Sequence, residues 1–254
     1  MRALKKPWPP ADVSPDGQEA RTWRQAEDEF LSALEAAADP ASHARATFDS
    51  MEKSKLRAVM YEEQGALCVY CERRVAEGHP QPRIDHWRPL SAEPRLALHW
   101  RNLYLSCTTA ETCDSHKHES ALKATATDPD VLPWPVDHAY ERCGGFTSLG
   151  EVYVRNDAPL NDAQRRALVH ALGIPHDDKI KDNGVLNLNH PKLVAARIAA
   201  LDSERTRLER QHRDKTATRE EREERRSALL REQPLQEFVS IRTRWLDRSL
   251  GKAR

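Results

Sequence analysis

The chain has 254 residues with 40 basic and 40 acidic side chains, so its formal net charge is zero and the total advertises no wholesale attraction to nucleic acid. Hydrophobic residues make up 39% and charged residues 31%, with a mean hydropathy of -0.79, which describes a very polar protein with a modest core and solvent-rich helices. No apolar run approaches the ~20 residues of a membrane span, and 1-MRALKKPWPP-10 has no apolar segment that could act as a secretory signal, so no membrane contact and a cytoplasmic location are expected.

The opening segment, proline-rich and polar as far as Gly17, predicts an extended arm unless the body of the protein or a partner holds it. From Thr22, the residues Trp23, Ala26, Phe30, Leu34 and Ala37 recur at helical spacing and predict an amphipathic helix that ends before Pro40. Leu56, Val59, Met60 and Glu63 predict a second helix, stopping at Gly65 and delivering the chain to Cys68. Residues 66 to 124 read as short and turn-rich, with strands at 83-RIDHW-87 and 103-LYLS-106 and a helix from about Asp114. A hairpin is expected in 146-FTSLGEVYVR-155 and a helix in 160-LNDAQRRALVHALG-173.

The last third carries a helix marked by Leu193, Ile198, Leu201 and Leu208. It runs into 209-ERQHRDKTATREEREERRSA-228, where nothing larger than Ala is apolar, so this stretch should bury no face and be solvated or disordered. Amphipathic spacing resumes after Pro234 with Leu235, Phe238, Val239, Trp245 and Leu246. From Arg197 onward there are 16 basic against 11 acidic residues, a mildly basic tail that suits a solvated helix and could touch phosphate.

Four of the five cysteines fall between residues 68 and 113, as Cys68 and Cys71 in a CxxC turn and Cys107 and Cys113 in a wider pair. In a reducing compartment such cysteines are metal ligands or redox groups, and the strand-then-helix setting of a thioredoxin-type motif is missing here. Four thiolates suit a tetrahedral structural zinc, closed to water and therefore a contributor to folding and not to catalysis. The wider second spacing requires an inserted loop, 108-TTAET-112. Cys143 reads as a buried or surface thiol.

Between the pairs stands 84-IDHWRP-89. Phosphodiester hydrolysis needs a group to take a proton from water, a cation to offset phosphate charge, and a scaffold aligning them. His86 has the chemistry of the base, and Asp85, pointing the other way on a strand, would hold a hard divalent ion such as Mg or Mn. Asp114 is the leading second ligand and His116 the alternate, while the Asn102 amide can brace the connecting loop by bonding backbone groups. Trp87 and Trp100 should pack the small motif, His190 should mark a helix entry before Pro191, and Lys117 and Arg88 should either meet phosphate or be solvated.

The order CxxC, Asp-His, Asn-Leu, then a second cysteine pair ending in Cys-Asp-x-x-Lys resembles the HNH nuclease motif. The residues 2 to 7, 62-EEQGALCVYCE-72, 99-HWRNLYLSC-107 and 184-GVLNLNHPKL-193 extend the resemblance to HNH proteins of bacterial anti-phage operons, the PtuB-like proteins of Septu systems and their retron-associated relatives. It implies a fold that is α+β and mostly α, with a zinc-stapled ββα-metal core embedded in a helical scaffold. The expected organisation is an N-terminal arm and helices over 1–65, the HNH core over 66–124, and a hairpin plus helical region over 125–254, with a charged helix and a terminal docking helix.

The resemblance further implies a metal-dependent endonuclease with His86 as general base, Asp85 and Asp114 (or His116) as ligands of catalytic Mg or Mn, Asn102 as the structural middle residue, and Cys68, Cys71, Cys107 and Cys113 as zinc ligands. The implied target is phage DNA and the implied partner an ATPase of the ABC or SMC type (PtuA-like). Neutral overall charge predicts weak unaided DNA affinity, so the helix around Trp23 to Leu34 or the terminal helix with Phe238 and Trp245 is expected to dock on that partner. The alternatives are a catalytically inactive zinc-bound nucleic-acid or protein adaptor, and an RNase with the same site chemistry.

Overall fold

The computed structural model describes residues 2–6, 9, 14, 21–75, 81–119, 134–136, 138–172, 184–211 and 217–251. Helix α1 (Trp23–Glu35) begins where Thr22 and Gln25 form a reciprocal capping box, and it buries Trp23, Ala26, Phe30 and Leu34 along one face. It ends ahead of Pro40, as its spacing predicts. A further helix, α2 (Pro40–Ser50), follows at once. Asp39 caps it and Pro40 takes its first position, but Ala44 and Phe48 are its only buried residues, which is too short an apolar pattern to reveal a helix in sequence.

Helix α3 (Ser54–Gln64) stops at Gly65, whose φ of 63° is left-handed. A Cβ there would lie 2.5 Å from the Leu235 side chain, so glycine serves both the turn and a close approach. Strands β1 (Arg83–His86) and β2 (Leu103–Ser106) pair antiparallel, with Asp85 opposite Tyr104 and His86 opposite Leu103. Helix α4 (Cys113–Glu119) follows.

Helix α5 (His138–Cys143) leads into the expected hairpin, β3 (Gly144–Phe146) with β4 (Val152–Val154), and then α6 (Asp162–Leu172). The stop expected at Gly173 lies outside the described residues, as do residues 120–124 of the central block and most of the proline-rich opening.

Helices α7 (Pro191–Gln211), α8 (Arg219–Arg231) and α9 (Val239–Ser249) complete the chain. Here the reading of 209–228 as a stretch that buries no face needs correction, although 212–216 lie outside the described residues. Arg225 and Leu229 of α8 are buried. The Arg225 guanidinium donates to both carboxylate oxygens of Glu204, to Glu232 at 3.1 Å and to Gln236 at 3.1 Å, while Arg242 reaches Glu204 at 3.0 Å. Sequence spacing tracks apolar burial, and this face is buried as paired charge instead.

The two segments expected to dock on a partner are also reassigned. Trp23, Phe30 and Leu34 of α1 and Leu235, Phe238, Val239 and Leu246 near α9 are buried against the chain's own core, and Trp245 is half-buried against it, so both apolar faces are largely covered in this structure. The arm is held by the body where it is described: Leu4 N–H donates to Pro135 O at 2.7 Å, and Arg2 donates to Gln64 O at 2.9 Å. Buried Lys6 pairs with Glu63 at 3.0 Å and stands 4.2 Å from the Trp100 ring centroid. A single apolar cluster runs from Leu4 through the central strands to Ile241. Among the described residues, no helix is long and apolar enough to cross a membrane.

Candidate active site and metal centre

The first cysteine pair sits in a tight turn. Leu67 bridges Arg74, Cys68 N–H donates to Arg73 O at 2.8 Å, and Glu72 N–H donates to Cys68 O at 3.1 Å. Glu72 turns the chain with a φ of 61°, and Val69 N–H reaches Leu105 O at 3.0 Å, fastening the turn to β2. Cys107 follows β2 directly, and Cys113 opens α4 with a φ of 55° and an N–H bond to Leu186 O of 2.9 Å. The loop between them is held by the Asn187 side-chain amide, which donates to Glu111 O at 2.7 Å. This is how the wider second spacing is accommodated.

All four sulfurs are buried within 4.8 Å of one another. Four thiolates bound to one tetrahedral ion at ~2.3 Å would stand about 3.8 Å apart, and Cys71 Sγ lies 3.8 Å from Cys107 Sγ. The cluster could therefore hold a metal ion. Hydrogen bonds from Cys113, Cys68 and Cys71 hold the Cys107 thiol far below its ordinary range, whereas Cys71 and Cys113 are pushed up. The neighbouring sulfurs and burial thus disfavour ionising Cys71 and Cys113, and a bound cation would favour it. Cys143 is a buried thiol outside this group.

Beside the turn, β1 supplies Asp85 and His86, both buried. Asp85 Oδ2 accepts from Lys117 Nζ at 2.8 Å and from the Tyr70 hydroxyl. Burial raises the Asp85 carboxyl to about 6, opposed by Lys117 and reinforced by Asp114. Tyr70 is held well above its ordinary value, mainly by burial and then by Asp85, so it remains a phenol and a donor.

His86 Nε2 lies 3.0 Å from Ala97 O. A carbonyl can only accept, so Nε2 carries the proton and Nδ1 holds the lone pair. Burial lowers the His86 pKa to about 3, which keeps the ring neutral, and Phe48 of α2 packs edge-on against it at 4.4 Å. Asn102 is fully buried and braces the loop between the strands: Oδ1 accepts from Arg88 N–H at 2.6 Å, and Nδ2 donates to Arg88 O and Leu96 O, each at 3.0 Å.

Asp114 is buried at the start of α4, 3.4 Å from Arg83 Nη1, and its charge acts on Asp85, His86 and Tyr70. His116 is directed elsewhere, its Nδ1 bonding Val185 O at 2.9 Å. The structure thus puts Asp85 and His86 within reach of the Asp114 charge and turns His116 toward the 184–193 segment. There His190 marks the entry to α7 as expected, its Nδ1 accepting from Lys192 N–H at 3.2 Å.

Three polar groups at the site, Lys117, Arg88 and Tyr70, were not legible in those roles. Lys117, expected on phosphate or in solvent, is buried and also donates to His86 O at 2.6 Å, while Arg88 is fully buried with its guanidinium 5.3 Å from the Trp134 ring. Tyr70, inside the CxxC, is the second donor to Asp85. The signal for Tyr70 and Lys117 is the placement of a donor in the cysteine turn and another one helical turn past Cys113. Trp87 and Trp100 pack the motif as expected, Trp87 stacking on Tyr70 at 5.4 Å.

No family model matches the chain. It is 33% identical over 81 residues to the Septu protein PtuB of Bacillus thuringiensis, covering 30% of this chain and 31% of that one. It is 31% identical over 84 residues to a protein of Vibrio cholerae serotype O1 biovar El Tor named as an HNH endonuclease of retron Vc95, covering 30% and 40% respectively. The chain is related to HNH-type defence nucleases. The aligned segments span well under half the length of either relative.

Proposed function

We propose that this protein is an HNH endonuclease that hydrolyses phosphodiester bonds in phage DNA as the effector of a defence complex. The observation that carries the proposal is the His86–Ala97 contact, which leaves Nδ1 of a neutral, buried imidazole as a base, with the charge of buried Asp114 acting on the ring. In this reading β1, β2 and α4 form the ββα-metal core. Nδ1 takes the proton from water, Asn102 keeps the loop bearing Ala97 in place, and Asp85 and Asp114 hold Mg or Mn, which would stabilise charge on the phosphate. The all-thiolate donor set of Cys68, Cys71, Cys107 and Cys113 suits zinc, whose contribution there is to folding. His116, engaged with Val185, is not assigned to the catalytic ion.

The kinship with a Septu protein supports an ATPase partner of the ABC or SMC type. The faces of α1 and α9 are occupied, so such a partner would use another surface. A second reading, an inactive zinc-bound adaptor, is favoured by one observation: Lys117 already occupies the carboxylate that should meet the ion.

Incubating plasmid DNA, linear DNA and RNA with Mn or Mg, with and without the candidate ATPase, separates these readings. Nicking of DNA by the wild type and its loss in His86→Ala, with zinc content and folding unchanged, supports the nuclease. RNA cleavage alone would redirect the substrate, and binding without cleavage in every combination would favour the adaptor.

A further inference from the structure

Between α9, α8 and α5 lies a cleft of about 330 Å³, within the range of small-ligand sites. Its lining carries Arg2, Arg142, Arg155, Arg226 and Arg244 against two carboxylates, Glu141 and Asp247. The acids are already engaged: Asp247 accepts from Arg226, and Glu141 accepts from Ala3 N–H at 2.7 Å. Arg155 is paired with Asp157.

Arg244 forms no ion pair among the described residues. Burial works against its charge, as do the neighbouring cations Arg155 and Arg248, while Tyr153 and the more distant Asp157 offset only part of that cost. Its Nε and the Nε of Arg2 are buried without a hydrogen-bond partner among the described residues. A half-buried guanidinium with an unused donor, in the same cleft as a second one, is costly unless an anion completes it. Guanidinium forks match phosphate oxygens in pairs, and Arg is favoured over Lys where that geometry matters.

We infer that this cleft binds a phosphate group, supplied either by a free nucleotide or by the phosphodiester backbone of a nucleic acid. Arg244 and Arg142 are its principal donors, reaching it from α9 and α5 respectively. The site is separate from the carboxylates of the nuclease reading and does not depend on it.

The test is binding by the full chain without added divalent ion, using pyrophosphate, ATP and a fluorescent DNA oligonucleotide as probes, read by calorimetry and anisotropy. Wild type should bind at least one probe, and Arg244→Gln should weaken it about tenfold or more. Arg142 is exposed, so Arg142→Gln should fold normally and weaken binding less. Arg205→Gln, on α7, should match wild type. Competition of the oligonucleotide by pyrophosphate or ATP would assign free phosphate as a ligand; oligonucleotide binding without competition, with a smaller salt slope in Arg244→Gln, would assign the backbone. Absence of binding to all three probes, or equal affinity in wild type, Arg142→Gln and Arg244→Gln, would overturn the inference.

Discussion

The carboxylate of Glu72 is bound to Ser240, across 168 residues of sequence: it accepts the Ser240 backbone N–H at 2.9 Å and the Ser240 hydroxyl. Glu72 directly follows Cys71, and Ser240 is in the first turn of α9, so one acidic side chain caps a helix and anchors it to the cysteine turn. Phe238 N–H donates to Glu72 O at 2.9 Å, Leu235 N–H to Gly65 O at 3.0 Å, and Arg74 N–H to Glu237 at 2.8 Å, which makes the contact a continuous seam.

Glu72→Ala should therefore loosen both ends of the seam. Losing a charge-assisted pair at a buried helix start should cost about 2–3 kcal/mol. Hydrogen exchange should show reduced protection across Val239–Ser249 and in the turn at 67–74. Unchanged protection in α9 would mean that its apolar face alone holds it.

Removing metal should act on the same seam from the other side. With a thiol-competitive chelator, the cluster would release its ion, and the turn at 67–74 and the start of α4 would lose the link between them. The expected outcome is stoichiometric metal release with a fall in melting temperature, and Cys113→Ser should reproduce it. A preparation with intact thiols, no bound metal and an unchanged melting curve would refute a folding role for the ion.

Motif residues were legible because their chemistry is rare and their spacing local. Cys68, Cys71, Cys107 and Cys113 converge as their pattern implied, and the strands at Asp85 and Leu103 follow from a short apolar alternation. Helix α2 was missed because Phe48 spends its burial on His86, a contact no spacing rule encodes. The Arg225–Glu204 pairing was missed for a related reason: opposite charges on α8 and α7 become a buried face only once the tertiary fold brings them together. The 184–193 segment was noticed through resemblance, yet its physical task, supporting Cys113, Glu111 and His116 through Leu186, Asn187 and Val185, is visible only in three dimensions.

Lys117→Met should make stability depend differently on pH. In wild type the Asp85 carboxyl is raised to about 6, so its contribution is complete below the unfolded value near 3.8 and is lost as pH rises through about 6. Without the ammonium at 2.8 Å the folded value moves higher, and the loss continues to higher pH. The wild type should exceed the variant by a larger margin in urea unfolding at pH 8 than at pH 5. A margin independent of pH would mean that Lys117 does not compensate the Asp85 charge.

His86 gives the opposite sign. Its folded pKa is depressed to about 3 from 6.5, chiefly by burial, so its contribution is complete above 6.5 and is lost as pH falls toward 3. Between pH 7 and pH 5 the unfolded ring takes up a proton that the folded ring refuses, a difference of about 2 kcal/mol at ~1.4 kcal/mol per pH unit. His86→Gln removes that linkage while retaining a donor for Ala97 O, and Asp85 titrates in both proteins. The stability advantage of wild type over His86→Gln should therefore shrink by about 2 kcal/mol on acidification from pH 7 to pH 5. A constant advantage would show that the folded ring protonates as readily as the unfolded one, and Nδ1 would then not be held as the lone-pair nitrogen that water activation requires.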